Sequence, residues 1–143
     1  MSFPRNEGQI PIYYNAKSTG RPLVPGEKYH SQYLDVSNDP LYPFGYGLSY
    51  TDFKYSDVAL NKSTLAPGEK LTVTATVSNT GKVAGIETVQ LYIRDLVGSI
   101  TRPVKELKGF RRIELAPGES KVVSFELSSE DLRFYNQELN FKA

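Results

Sequence analysis

Cysteine and tryptophan are both absent from the 143 residues, histidine occurs once, and the one methionine is Met1. Without cysteine there is no disulfide, no thiolate metal ligand and no cysteine nucleophile, and the redox compartment is left open. The single histidine, His30, rules out a multi-histidine metal cluster and would have to carry any Ser-His-Asp triad alone. No stretch reaches the ~18 apolar residues of a membrane-spanning helix, and Met1-Ser2-Phe3-Pro4 is followed by no apolar signal core. Met1 is therefore expected to be an added start on a fragment of something longer. Charge of one sign is also missing: 17 Lys and Arg face 16 Asp and Glu, a net +1. That balance argues against nucleic acid or an anionic membrane as the main partner. What remains is a chain with 39% hydrophobic and 23% charged residues, long enough for one domain and an appendage.

Two compositional regimes meet near residue 50. The first 50 residues hold six of the nine prolines and seven of the ten tyrosines, with no sustained period of 2 or 3.6. Each proline fixes φ and removes a backbone donor, which excludes a long helix there. Only Gln9 to Asn15, with Ile10, Ile12 and Tyr14 alternating, reads as a strand, at an edge because of Pro11. The rest is expected to be a long loop lying on another surface, since long structureless stretches are uncommon inside a compact domain.

From Phe53 onward, short alternating strands follow one another with turn signals between them. Tyr55 to Leu60 is the first. Leu71, Val73, Ala75 and Val77 alternate with Thr72, Thr74, Thr76 and Ser78, and Asn79-Thr80-Gly81 ends that strand with turn chemistry. Val89, Leu91 and Ile93 form the next inward row. Leu107 to Leu115 changes phase around Gly109-Phe110, which suggests a bulge, and Val123, Phe125 and Leu127 make a further inward row. Leu-Ala-Pro-Gly-Glu occurs at 65–69 and again at 115–119, each time just before a strand. Its Pro-Gly pair fits a type II turn, and the two copies are expected to be equivalent hairpin corners. The predicted class is all-β: an immunoglobulin-like β-sandwich with a long irregular N-terminal segment. The domain division expected is 1–50 for the irregular segment and 51–143 for the sandwich.

Motifs that would carry chemistry fail one by one. Gly47-Leu48-Ser49-Tyr50-Thr51 lacks the last glycine and the helix of a nucleophile elbow. Gly45-Tyr46-Gly47 has no third glycine and no following helix to hold phosphate. Asp35 to Asp39 begins like a calcium loop but has Pro40 at the sixth position and Tyr46 at the twelfth. His30 suits a solvent-exposed or packing role better than catalysis. Arg102, Lys105, Lys108, Arg111 and Arg112 crowd together against Glu106, either as a site for an anionic partner or, more simply, as charges that guard a strand edge. Asn61-Lys62-Ser63 is a glycosylation sequon only in a secreted eukaryotic setting. The tyrosines from Tyr13 to Tyr55 are the one feature suited to a ligand: rings that stack on sugars, or rings that pack between two protein bodies.

Pro40-Leu41-Tyr42-Pro43-Phe44-Gly45-Tyr46-Gly47-Leu48-Ser49-Tyr50-Thr51, followed by Phe53 and Tyr55, resembles the join between the α/β-sandwich domain and the C-terminal fibronectin type III-like domain of glycoside hydrolase family 3. Phe3-Pro4, Gly8 to Asn15 and Thr19-Gly20-Arg21-Pro22 resemble the tail of that α/β sandwich. Val77 to Gly81, Ala84-Gly85, Glu87 to Asp95, Lys105 to Phe110 and Leu115 to Ser120 resemble the core of the fibronectin-like domain. The whole chain is covered, and the pattern is most similar to the periplasmic bacterial β-glucosidase branch.

The resemblance implies a parent that hydrolyses terminal β-D-glucosyl residues with retention, using two carboxylates ~5–5.5 Å apart. It places the nucleophilic aspartate in an N-terminal barrel, in a Ser-Asp-Trp-like context that Ser56-Asp57-Val58 does not match. No residue here carries over as catalytic, cofactor-binding or metal-binding, and no cofactor is implied. The expected role is a non-catalytic domain stabilising or bordering the catalytic domains of the same polypeptide, in the periplasm or secreted. Tyr29, Tyr33, Tyr42, Phe44 and Tyr46 are expected to bury against that neighbour. The alternative is a carbohydrate-binding accessory module that holds an oligosaccharide on exposed tyrosines. The family pattern continues beyond Phe134-Tyr135-Asn136 with a further strand, so an unfilled strand edge open to self-association is also expected.

Overall fold

A computed structural model describes residues 1–18, 20, 21 and 23–143; Thr19 and Pro22, quoted above as part of a family-like motif, lie outside the described residues. The described residues contain seven strands and two one-turn 3₁₀ helices, and no α-helix. Five strands are long: β1 Phe53–Leu60, β2 Lys70–Asn79, β3 Gly85–Ile93, β4 Glu106–Leu115 and β5 Ser120–Ser128. β6 Phe134–Tyr135 and β7 Phe141–Lys142 form a small terminal hairpin.

The long strands make two antiparallel layers, β1-β2-β5 and β3-β4. β2 and β5 pair without interruption from Lys70↔Ser128 to Ser78↔Ser120, so the alternating threonines of β2 share one face and its aliphatic side chains the other. The core is built from one residue of each inner strand: Val77 of β2, Val89 of β3, Leu115 of β4 and Val123 of β5, with Phe53, Ile113 and Phe125 packed around them. This is the predicted all-β, immunoglobulin-like sandwich. The pairing of β1 with β2 slips between Ser56 and Ala59, where Asp57 takes a positive φ of 53°, a conformation that Asp tolerates better than most residues.

Both Leu-Ala-Pro-Gly-Glu copies fold as type II turns. The N–H of Glu69 donates to the Ala66 carbonyl and that of Glu119 to the Ala116 carbonyl, with Gly68 and Gly118 at φ of 79° and 77°. Each glutamate also accepts from the backbone N–H three residues earlier, Glu119 from Ala116 at 2.7 Å and Glu69 from Ala66 at 3.4 Å. The expectation of equivalent hairpin corners is corrected. The first copy joins β1 to its neighbour β2, whereas the second leads from β4 into β5, which belongs to the other sheet. A turn sets only a local reversal; the strand's partner is chosen by which apolar row the core accepts.

Gln9 to Asn15 is not a strand. Glu7–Gln9 is a 3₁₀ turn and the Ile10–Pro11 bond is cis. The Gln9 side chain, 2% exposed, explains the difference. Its Oε1 accepts from the Arg5 N–H at 2.5 Å and its Nε2 donates to the Ser37 carbonyl at 2.7 Å. With the side chain latched there, the turn takes the Gln9 and Ile10 N–H groups for the Asn6 and Glu7 carbonyls, and Pro11 has no N–H to give a ladder.

Compact packing divides the chain into two units. One comprises Met1–Gly47 with Tyr92–Glu106; the other comprises Leu48–Leu91 with Leu107–Ala143 and contains the whole sandwich core.

Candidate docking surface

The end of β2 shows how firmly the sandwich unit is fastened. Asn79 is buried, and its Nδ2 donates to the carbonyls of Val83 (2.8 Å) and Leu115 (3.0 Å). Its Oδ1 accepts from the Thr51 hydroxyl (2.6 Å) and the Gly81 N–H (3.0 Å). Gly81 is fixed by this hub: a Cβ there would lie 2.1 Å from the Thr51 Oγ1. The sequon residue Asn61 is also structural, its Oδ1 accepting from the Thr72 N–H at 2.8 Å. Tyr55 donates to Glu87 at 2.6 Å; burial, followed by that bond, pushes the Tyr55 phenol well above its ordinary range.

The other unit is built differently. Phe3 and Tyr42 form an isolated antiparallel bridge, with the Phe3 N–H donating to the Tyr42 carbonyl and the Leu41 N–H to the Phe3 carbonyl, both at 2.9 Å. This sets the Phe3 and Tyr42 rings edge-on at 6.3 Å between centroids. A turn closed by the Tyr46 N–H on the Pro43 carbonyl brings Tyr46 to 5.2 Å from Tyr42. Phe3, Tyr42 and Tyr46 are all exposed, as is Leu41 beside them. A second group is internal: Tyr14 stacks on Phe44 at 4.3 Å and meets Tyr92 edge-on at 6.1 Å, with the Lys105 ammonium 5.2 Å above the Tyr92 ring. Burial, then the neighbouring Tyr14, raise the Tyr92 phenol.

The five rings singled out from sequence thus fall into different settings. Tyr42 and Tyr46 share one exposed cluster. Phe44 is half-buried against Tyr14 within the chain. Tyr33 donates its hydroxyl to the Gly8 carbonyl at 3.2 Å and lines a cavity of about 600 Å³ with Tyr13, Asn38 and Asp39. Tyr29 is 85% exposed and lies beside His30, whose Nε2 pairs with Glu27 at 2.6 Å. Phe3 and Tyr14 were not among those five. The alternation that includes Tyr14 pointed to a strand, and only the bridge to Tyr42 and the stack on Phe44 give the two rings their role.

Three members of the basic run from Arg102 to Arg112 are engaged separately. Arg102 is paired with Asp95 and Glu106. Lys105 caps Tyr92, and Arg111 donates to the Ser124 carbonyl at 2.9 Å with its guanidinium 5.8 Å from the Phe125 ring centre. Among the described residues no group of three or more His, Cys, Asp or Glu could hold a metal ion.

The family model for the fibronectin type III-like domain matches residues 87–142. The structure superposes on the crystal structure of a β-glucosidase from Listeria innocua in complex with glucose with a TM-score of 0.90, at 51% identity, covering 99% of this chain and 20% of that one. The chain carries a fibronectin type III-like domain of the kind found in glycoside hydrolase family 3. The chain is also 51% identical over 145 residues to the periplasmic β-glucosidase of Salmonella typhimurium, covering 100% of this chain and 19% of that protein. A β-xylosidase from Formosa agariphila is 48% identical over 139 residues, 97% of this chain and 18% of that protein. The chain therefore spans about a fifth of the length of these relatives.

Proposed function

We propose that the chain is the non-catalytic C-terminal structural domain of a longer, periplasmic or secreted, retaining β-glucosidase that hydrolyses terminal β-D-glucosyl residues. Residues 1–50 are the tail of the preceding α/β-sandwich domain and its linker, and 51–143 form the accessory sandwich. Tyr29, Tyr33, Tyr42 and Tyr46, joined by Phe3, dock on the catalytic domains, while Phe44 holds its neighbours in place through Tyr14.

The observation that carries this reading is the missing core of the N-terminal unit. Among its described residues the only fully buried one is the polar Gln9, while Tyr29, Leu34, Tyr42 and Tyr46 stand exposed. Exposed rings and aliphatic side chains over so small a core support an interaction face. The relatives support a role away from sugar selection: domains about equally similar to this one sit in proteins named for glucosides and for xylosides. Aryl-β-glucoside turnover by the 143-residue chain above a mock preparation would defeat the non-catalytic assignment. In the intact enzyme, replacing Tyr42 and Tyr46 together by serine is expected to shorten the thermal half-life several-fold and leave KM unchanged.

The cavity beside Tyr13 and Tyr33 favours a second reading, capture of an oligosaccharide. The exposed cluster does not suit a flat sugar platform, because its rings meet at 80° and 40°. Affinity electrophoresis in soluble glucans separates the two: retardation of the chain supports capture, and unaltered mobility leaves docking.

A further inference from the structure

The loop between β3 and β4 belongs to the ring-bearing unit and combines a rigid root with an apolar tip. At the root, Arg102 is 11% exposed, with its guanidinium 2.8 Å from the Glu106 carboxylate and 3.4 Å from that of Asp95. Asp95 turns the chain by accepting the Val97 N–H on Oδ1 at 3.2 Å. Gly98 lets the Arg102 stem lie against the backbone, where a Cβ would come within 2.6 Å of the Arg102 Cγ. The returning arm is tied to the N-terminal segment by the Val104 N–H on the Ala16 carbonyl at 2.9 Å and by the Lys17–Pro103 bridge. At the tip, Leu96 is 80% and Val97 92% exposed.

A guanidinium held out of water between two carboxylates loses solvation and yields little net stability. What it secures is direction. The loop it braces carries two adjacent branched aliphatic side chains in solvent, where neither lowers the free energy of the chain by itself. We propose that Leu96 and Val97 form an apolar plug that inserts into the catalytic part of the same polypeptide, and that Arg102 is the positioning residue that aims it. The inference rests on the docking role given above, and the choice of occupant follows from two facts. The tip lies in the same compact unit as the exposed rings, and most of the length of the relatives lies outside the region matched by this chain.

Thiol labelling in the intact polypeptide tests it, with any other cysteines replaced. The expected result is that Val97→Cys reacts with a maleimide at least ~10-fold more slowly than Val122→Cys, an exposed position on β5. Equal rates overturn the proposal, and so does protection that grows with protein concentration, which would assign the tip to a second copy. Leu34→Cys, exposed in the ring-bearing unit, separates the two claims. If Leu34→Cys is protected and Val97→Cys is not, the plug fails and docking stands; if both react freely, both fail. Adding Arg102→Gln to Val97→Cys is expected to speed labelling several-fold, with Arg102→Lys intermediate. An unchanged rate removes Arg102 from the aiming role.

Discussion

The sandwich unit and the ring-bearing unit solve the same problem with opposite means. The sandwich buries Val77, Val89, Leu115, Val123 and Leu127 and places its polar hub, Asn79, beneath them with its hydrogen bonds filled. The ring-bearing unit carries most of the tyrosines, yet its one fully buried described side chain is an amide. Apolar burial stabilises in proportion to the area removed from water, so one unit holds its own fold and the other is shaped by latches that orient more than they stabilise. A surface that is ordered but undercommitted suits the docking role proposed above.

The contrast can be broken or sharpened by substitution, beginning with the largest effect. Leu115→Ala empties a site with no solvent exposure and is expected to cost about 3–4 kcal/mol in urea unfolding; a loss under ~1 kcal/mol would mean that the core collapses freely and is not the anchor described. Asn79→Ala leaves the Val83 and Leu115 carbonyls, the Thr51 hydroxyl and the Gly81 N–H without their partner, for an expected cost of about 3 kcal/mol. Gln9→Ala should act locally: faster hydrogen exchange at Arg5 and its neighbours, with about 1 kcal/mol or less lost from global unfolding. A cooperative collapse of the sandwich in that variant would erase the distinction between the units.

The smallest effect is titration. In the sandwich, the Ala116 N–H and then Lys121 hold the Glu119 carboxyl low; Lys62 and then the Ala66 N–H do so for Glu69, and the Ser128 N–H for Asp131. A folded value below the ordinary ~4 means stabilisation present above that pH and lost as pH falls through the depressed values. The urea midpoint should therefore hold between pH 6 and 5 and decline below about 4. Asp131→Asn should flatten part of that decline, and an unchanged profile would remove Asp131 from the account.

Much of the sandwich was legible because period-2 alternation is a local property. The inward rows of β2, β3 and β5 and both Leu-Ala-Pro-Gly-Glu turns follow from neighbouring residues alone. The strand expected at Gln9 to Asn15 showed the same alternation and was wrong, because Gln9 finds its partners at Ser37 and Asp39, about 30 positions away. Phe3 and Tyr14 were left out of the docking rings for a related reason: their significance lies in Tyr42 and Phe44, which no spacing rule connects to them.

By itself the sequence determined the class of fold, the turns that punctuate it, and the lack of thiol or multi-histidine chemistry, since these depend on residue type and on contacts a few positions apart. The tertiary structure decided which sheet each turn serves, how Arg102 is braced at the root of its loop, and which rings face water. Those outcomes depend on long-range pairing, where burial and hydrogen bonding select one partner from many locally equivalent ones.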